Sequence, residues 1–108
     1  MEQISFEEFK KLELKVGKIV SAEKVAGSEK LLKLQVDFGA EQRQIISGIA
    51  QFYKLEDLAG KSFVFVTNLE PRTIMGLESQ GMILAADVDG RAVCLTPTEE
   101  VPPGTTLR

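Results

Sequence analysis

The sequence predicts an all-β domain: a five-stranded Greek-key barrel with a short N-terminal helix, a helical segment between strands three and four, and a C-terminal hairpin and tail. Three observations carry this. Leu32, Leu34, Val36 and Phe38 alternate with Lys33, Gln35 and Asp37, the period-2 signature of a half-buried strand. A long apolar stretch before it is broken by Gly17, as expected where a first strand bends to pair in two places. A long polar connector, Asn68 to Gly81, separates the apolar runs Phe63-Val64-Phe65-Val66 and Met82-Ile83-Leu84-Ala85-Ala86. A connection built only to turn the chain would be far shorter.

The elements follow in order. Ser5 with Glu8 fits a capping box, opening a short helix with Phe6, Phe9 and Leu12 along one side. The first strand runs from about Glu13 to Val25, and Ala26-Gly27-Ser28-Glu29-Lys30 turns it into the alternating strand, where Leu31 is the exception on the polar face. Gly39-Ala40-Glu41 turns the chain back, and Gln42 to Ser47 is the antiparallel partner. Gln51 to Leu58 reads as a short helical or turn segment ended by Gly60. Ser62 to Thr67 is the fourth strand. Met82 to Val88 and Ala92 to Leu95 form a final hairpin around Asp89-Gly90, and the tail Pro97 to Arg108 is irregular. This order matches the OB-fold, the five-stranded Greek-key barrel. With 108 residues and no internal repeat or linker, residues 1–108 form one domain.

Composition narrows the function. The chain has no histidine and one cysteine, so a zinc or iron site, which draws on clusters of these ligands, is not expected, and no cofactor is implied. The commonest general base is missing and no carboxylate pair stands beside a nucleophile, so an enzyme is not expected. The single Cys94 excludes an internal disulfide and reads as an inert buried thiol in a reducing compartment. No apolar run approaches the roughly 20 residues of a membrane helix, and the N-terminus has no signal-peptide core, which makes a cytoplasmic address the default expectation. With 13 basic residues against 16 acidic ones, the net charge is −3. Non-specific nucleic-acid affinity rests on positive charge, so any such role must be local and directed by shape.

Four segments occur in a recognisable order: Leu14-Lys15-Val16-Gly17-Lys18-Ile19; Ser28-Glu29-Lys30-Leu31; Arg43-Gln44-Ile45-Ile46-Ser47-Gly48-Ile49-Ala50; and Asn68-Leu69-Glu70-Pro71-Arg72 through Glu78-Ser79-Gln80-Gly81-Met82-Ile83-Leu84-Ala85-Ala86. From about Phe6 to Leu95 the chain resembles the tRNA-binding domain at the C-terminus of methionyl-tRNA synthetase, which also occurs in freestanding tRNA-binding proteins and in the endothelial monocyte-activating polypeptide II group. The resemblance implies an OB-fold homodimer without catalytic activity. It would bind folded tRNA by shape near the outer corner of the L, either fused to or associated with the synthetase. It also implies tRNA contacts at Ser79 and Met82, in Glu-Ser-x-Gly-Met, and at Lys30 in the loop between the first two strands. Arg43, Ser47, Arg72 and Gln80 lie in matching segments. Ala26-Gly27-Ser28-Glu29 departs from the proline-asparagine-alanine-aspartate type of loop seen in many relatives. An alternative is a protein-interaction or secretion-chaperone-like dimer on the same fold.

Each candidate has a plainer reading. Lys30 and Arg43 can neutralise phosphates or be ordinary solvated charges. The guanidinium of Arg72 can pair with phosphate or stack on a base, or form a rim salt bridge with Glu70 or Glu78. Ser79 can sit at a close approach to RNA or simply make a turn. Met82 can pack on a base or ribose, or open a buried strand as a core residue. Phe6 and Phe9 are core or interface residues. The aromatics do not alternate with basic residues along a strand, so single-strand binding by base stacking is not expected.

Overall fold

A computed structural model describes residues 1–108. Its elements are α1 (Phe6–Phe9), β1 (Leu14–Lys24), β2 (Leu32–Asp37), β3 (Gln42–Ser47), a turn of 3-10 helix (Leu55–Asp57), β4 (Ser62–Val66), β5 (Arg72–Ile74), β6 (Leu77–Ser79), β7 (Met82–Ile83), β8 (Ala85–Val88) and β9 (Arg91–Cys94). The main sheet has the order β3-β2-β1-β4-β7, all antiparallel. The amide of Gln80, just ahead of β7, donates to the Gln44 carbonyl on β3 at 2.9 Å, so the sheet curls into a nearly closed five-strand barrel of the OB type.

The long first strand pairs twice, as its length and its glycine foretell. Leu14 to Lys18 pair with β4, and Lys18 to Lys24 pair with β2. The irregularity itself falls at Val20, where the register to β2 shifts between Ile19 and Ser21. Gly17 is not the irregular residue, but it permits a close approach. A Cβ there would stand 2.5 Å from Val36 Cγ1 and 2.6 Å from Phe38 Cε1. The strand can fold over its neighbour only where it carries no side chain.

The alternating strand β2 buries Leu32, Leu34 and Val36 and leaves Lys33, Gln35 and Asp37 partly exposed. These apolar side chains pack with Ile19, Ile45, Phe63, Phe65 and Ile83 in one core cluster. The Phe38 and Phe65 rings meet edge to face, with centroids 5.4 Å apart. Such pairs add a fraction of a kcal/mol to about 1.5 kcal/mol beyond their burial. β4 lies between two strands and is buried from Phe63 to Val66, which explains its unbroken apolar run.

Three expectations change in three dimensions, and the tail, irregular as expected, is found docked. The connector from Asn68 to Gly81 is not an open loop, because it contains the hairpin β5–β6. The strand expected from Met82 to Val88 is split at Leu84: β7 pairs with β4, and β8 then leaves to form a separate ribbon with β9. The tail is not free. Gly104 and Leu107 donate backbone hydrogen bonds to Val16 and Leu14, and Val16 donates to Thr105, so the tail covers the edge of β1 that β2 leaves open. The capping box forms by half: Ser5 Oγ accepts from the Glu8 amide at 3.1 Å, and no reciprocal bond from the Glu8 side chain is present. Helix α1 buries none of its residues, and Phe6 remains 70% exposed.

Candidate nucleic-acid interface

The β5–β6 hairpin is held against the barrel through polar contacts to β3. The Ser79 hydroxyl accepts from the Ile46 amide at 2.9 Å and donates to the Gly81 carbonyl at 3.1 Å. Gln44 Nε2 donates to the Glu78 carbonyl at 2.9 Å, and the Gln44 amide donates to Gln80 Oε1 at 3.2 Å. These bonds replace a strand-to-strand ladder at the one seam where the barrel would otherwise gape. Gly81 completes the approach. Its φ is 153°, and a Cβ there would lie 2.9 Å from the Val66 carbonyl and 3.2 Å from Ile45 Cδ1.

The seven sequence-predicted residues separate into two sets. Arg43, Ser79 and Gln80 are engaged inside the protein. Arg43 pairs with Glu41, donates through Nη1 to the Thr67 and Gln80 carbonyls, and lies 6.0 Å from the centroid of the Phe38 ring. Its guanidinium joins β3, the end of β4 and the approach to β7, so it is not the solvated charge of the plainer reading. Ser79 is only 5% exposed, and its hydroxyl is used twice internally. Its position closes the hairpin onto β3.

Of the other four, Met82, Arg72 and Lys30 are exposed. Met82 is 47% exposed, because β7 turns Ile83 into the core and therefore Met82 away from it. The core reading of Met82 is thereby removed. Arg72 is exposed and makes no ion pair with Glu70 or Glu78, so the rim salt bridge is also absent. Lys30 is exposed with no salt bridge; its own amide donates to Ser28 Oγ at 3.2 Å, which shapes the β1–β2 turn. Ser47 ends β3 opposite Leu32 and is half-buried. The hairpin tip reaches the β1–β2 turn: the methyl of Met75 lies 3.6 Å from where a Cβ on Gly27 would stand. The turn carrying Lys30 and the hairpin carrying Arg72 thus adjoin.

Sequence reasoning did not find Gln44 and Thr67. The signal for Gln44 is faint: it is simply the last of three polar residues, Gln42-Arg43-Gln44, ahead of Ile45-Ile46. Thr67 is 5% exposed, and its hydroxyl hydrogen-bonds to the Glu13 carboxylate at 2.8 Å. That bond, with Lys15 Nζ 3.4 Å from the same oxygen, holds the Glu13 carboxyl below its ordinary pKa of 4.5. Away from this surface, Tyr53 Oη accepts from the Cys94 amide at 2.9 Å, and burial pushes both the Tyr53 hydroxyl and the Cys94 thiol up.

The model of the family described as "putative tRNA binding domain" matches residues 14–106, and the chain belongs to that family. The chain is 57% identical over 104 residues to a methionine–tRNA ligase of Archaeoglobus fulgidus, a match covering 96% of this chain and 16% of the ligase. Among solved structures it is similar to a MetRS-related protein from Pyrococcus horikoshii, with 44% identity, complete coverage of both chains and a TM-score of 0.95. It is also similar to the chaperone CsaA from Bacillus anthracis, with 31% identity over 99% of this chain and all of that one, at a TM-score of 0.89. The chain spans about a sixth of the length of the curated ligases it matches. It corresponds to their tRNA-binding domain, a small, non-catalytic part of the enzyme.

Proposed function

We propose that this domain binds folded tRNA by shape, near the outer corner of the L, and serves methionyl-tRNA synthetase as a fused domain or an associated subunit. The observation that carries the reading is the pinned β5–β6 hairpin in a chain of the tRNA-binding family. Its base and its neighbour β7 present Arg72 and Met82 to solvent, unpaired and uncovered. RNA offers phosphates and 2′-hydroxyls to such a cation, and unstacked bases to such a thioether. Lys30 adds a second cation from the adjoining turn, and Ser47 closes the β3 end of the same region. Arg43, Ser79 and Gln80 support the surface by locking the hairpin in place.

Net charge of −3 leaves little for non-specific attraction, so a rigid, pre-formed surface suits a ligand of fixed shape. Binding should be measured for folded tRNA, the same tRNA unfolded, and a single-stranded RNA of equal length. Folded tRNA should bind best, and equal affinity for all three would sink shape recognition. Arg72→Ala should weaken binding and reduce the salt slope by about 1, with Tm unchanged.

The functional unit we propose is a homodimer. The groove between α1 and the tail combines apolar side chains, Phe6, Phe9, Leu12, Leu14 and Leu107, with a polar rim that includes Lys10, Lys11 and Arg108, and Phe6, Phe9 and Leu12 are large side chains left exposed by one barrel. A second copy is the occupant that would bury them. Sedimentation should give twice the chain mass at micromolar concentration, and Phe6→Glu should yield a monomer; a wild-type monomer would count against this assembly. The same groove, together with the likeness to CsaA, supports a second reading as a module that binds unfolded polypeptide. Capture of an unfolded protein without any affinity for tRNA would favour it.

A further inference from the structure

The tip of the β5–β6 hairpin holds a residue poorly suited to its backbone. A two-residue hairpin turn of this type places both central residues in the left-handed region. Met75 takes φ 50° and Gly76 79°. Glycine does this freely and Asn or Asp with ease, but a methionine Cβ crowds the following carbonyl. The chain's other such turn shows the contrast: Asp89-Gly90, with φ 51° and 85°, uses a residue fitted to the geometry. Burial does not offset the strain at Met75, which is 57% exposed. Its methyl only brushes the β1–β2 turn at Gly27. Strain retained at an exposed side chain points to a use for that side chain.

We propose that Met75 is a direct RNA contact. Its thioether packs on an unstacked base or a ribose of the folded RNA, linking the surface at Arg72 and Met82 to Lys30 across the tip. Sulfur is polarizable and sits well against aromatic rings, and folded RNA exposes such rings at its loops and corners. The proposal rests on the tRNA-binding reading.

Met75→Asn separates strain from contact, because asparagine tolerates the left-handed region and removes the thioether. It should raise Tm by about 4 °C or more and weaken binding of folded tRNA about 3- to 10-fold. The salt slope should stay at the wild-type value, since no cation is lost, whereas Lys30→Ala should reduce it by about 1. Met75→Leu, which keeps the apolar bulk, should retain most of the affinity. A lower Tm for Met75→Asn overturns the strain argument. Unchanged affinity overturns the contact while leaving tRNA binding intact. A slope that falls with the affinity makes Met75 a support for Lys30 and overturns direct contact. If the wild-type domain binds no tRNA, both this proposal and the function it rests on fail.

Discussion

Ser79→Ala distinguishes a residue that touches RNA from one that builds the surface. The hydroxyl accepts the Ile46 amide and donates to the Gly81 carbonyl, within a site only 5% exposed. Alanine removes the acceptor and leaves the Ile46 amide facing a methyl group. A buried donor left without a partner costs about 1–3 kcal/mol. The Gly81 carbonyl, also deprived, lies next to the partly exposed Gln80 and Met82, where water can reach it, so the total should stay near 2 kcal/mol. For a domain of this size that corresponds to a fall in Tm of roughly 8 °C. Thermal unfolding followed by circular dichroism reads this directly. Hydrogen exchange should show faster opening at Ile46 and along β6, while β1 and β2 stay protected. Affinity for tRNA should fall as a consequence of the loosened hairpin and recover partly on cooling. A Ser79→Ala protein with wild-type Tm and much weaker tRNA binding would refute the reasoning and make Ser79 a contact.

Gly17→Ala should destabilise by about 1–3 kcal/mol, because its Cβ meets the stiff Val36 and the packed Phe38 ring. Val36→Ala should cost less in that background than in the wild type, as a denaturant-based double-mutant cycle would show. Arg43→Lys should lower stability by about 1–2 kcal/mol, since an ammonium cannot serve Glu41, Thr67 and Gln80 together. Arg43→Gln, which removes the charge, should leave the tRNA salt slope unaffected, and a slope reduced by about 1 would make Arg43 a phosphate contact. Glu13→Gln should lower Tm at neutral pH. The folded-state pKa of Glu13 lies below 4.5, so its contribution is present above that pH and is lost as pH falls through the lower folded value. The Tm gap between variant and wild type should therefore narrow in acid; a constant gap would show that the ionised carboxylate contributes nothing.

The sequence by itself determined the barrel. Alternation from Leu32 to Phe38, the run Phe63 to Val66, and the glycine within a long first strand are local patterns. They set which side of each strand can be buried, and burial of those sides drives the fold. The family too was legible, because its segments are contiguous and in order. What only the tertiary structure decided is which site residues face outward. Ser79 and Met82 stand three residues apart in one segment, and nothing local tells them apart. Ser79 turns in because the Ile46 amide on a distant strand lacks another partner, and Met82 turns out because Ile83 must fill the core. The same holds for the hairpin hidden in the connector and for the tail laid along β1. The hairpin's own ladder is local, but its anchors on β3 and the tail's partners on β1 lie far away in sequence, so this docking exists only once the barrel has formed.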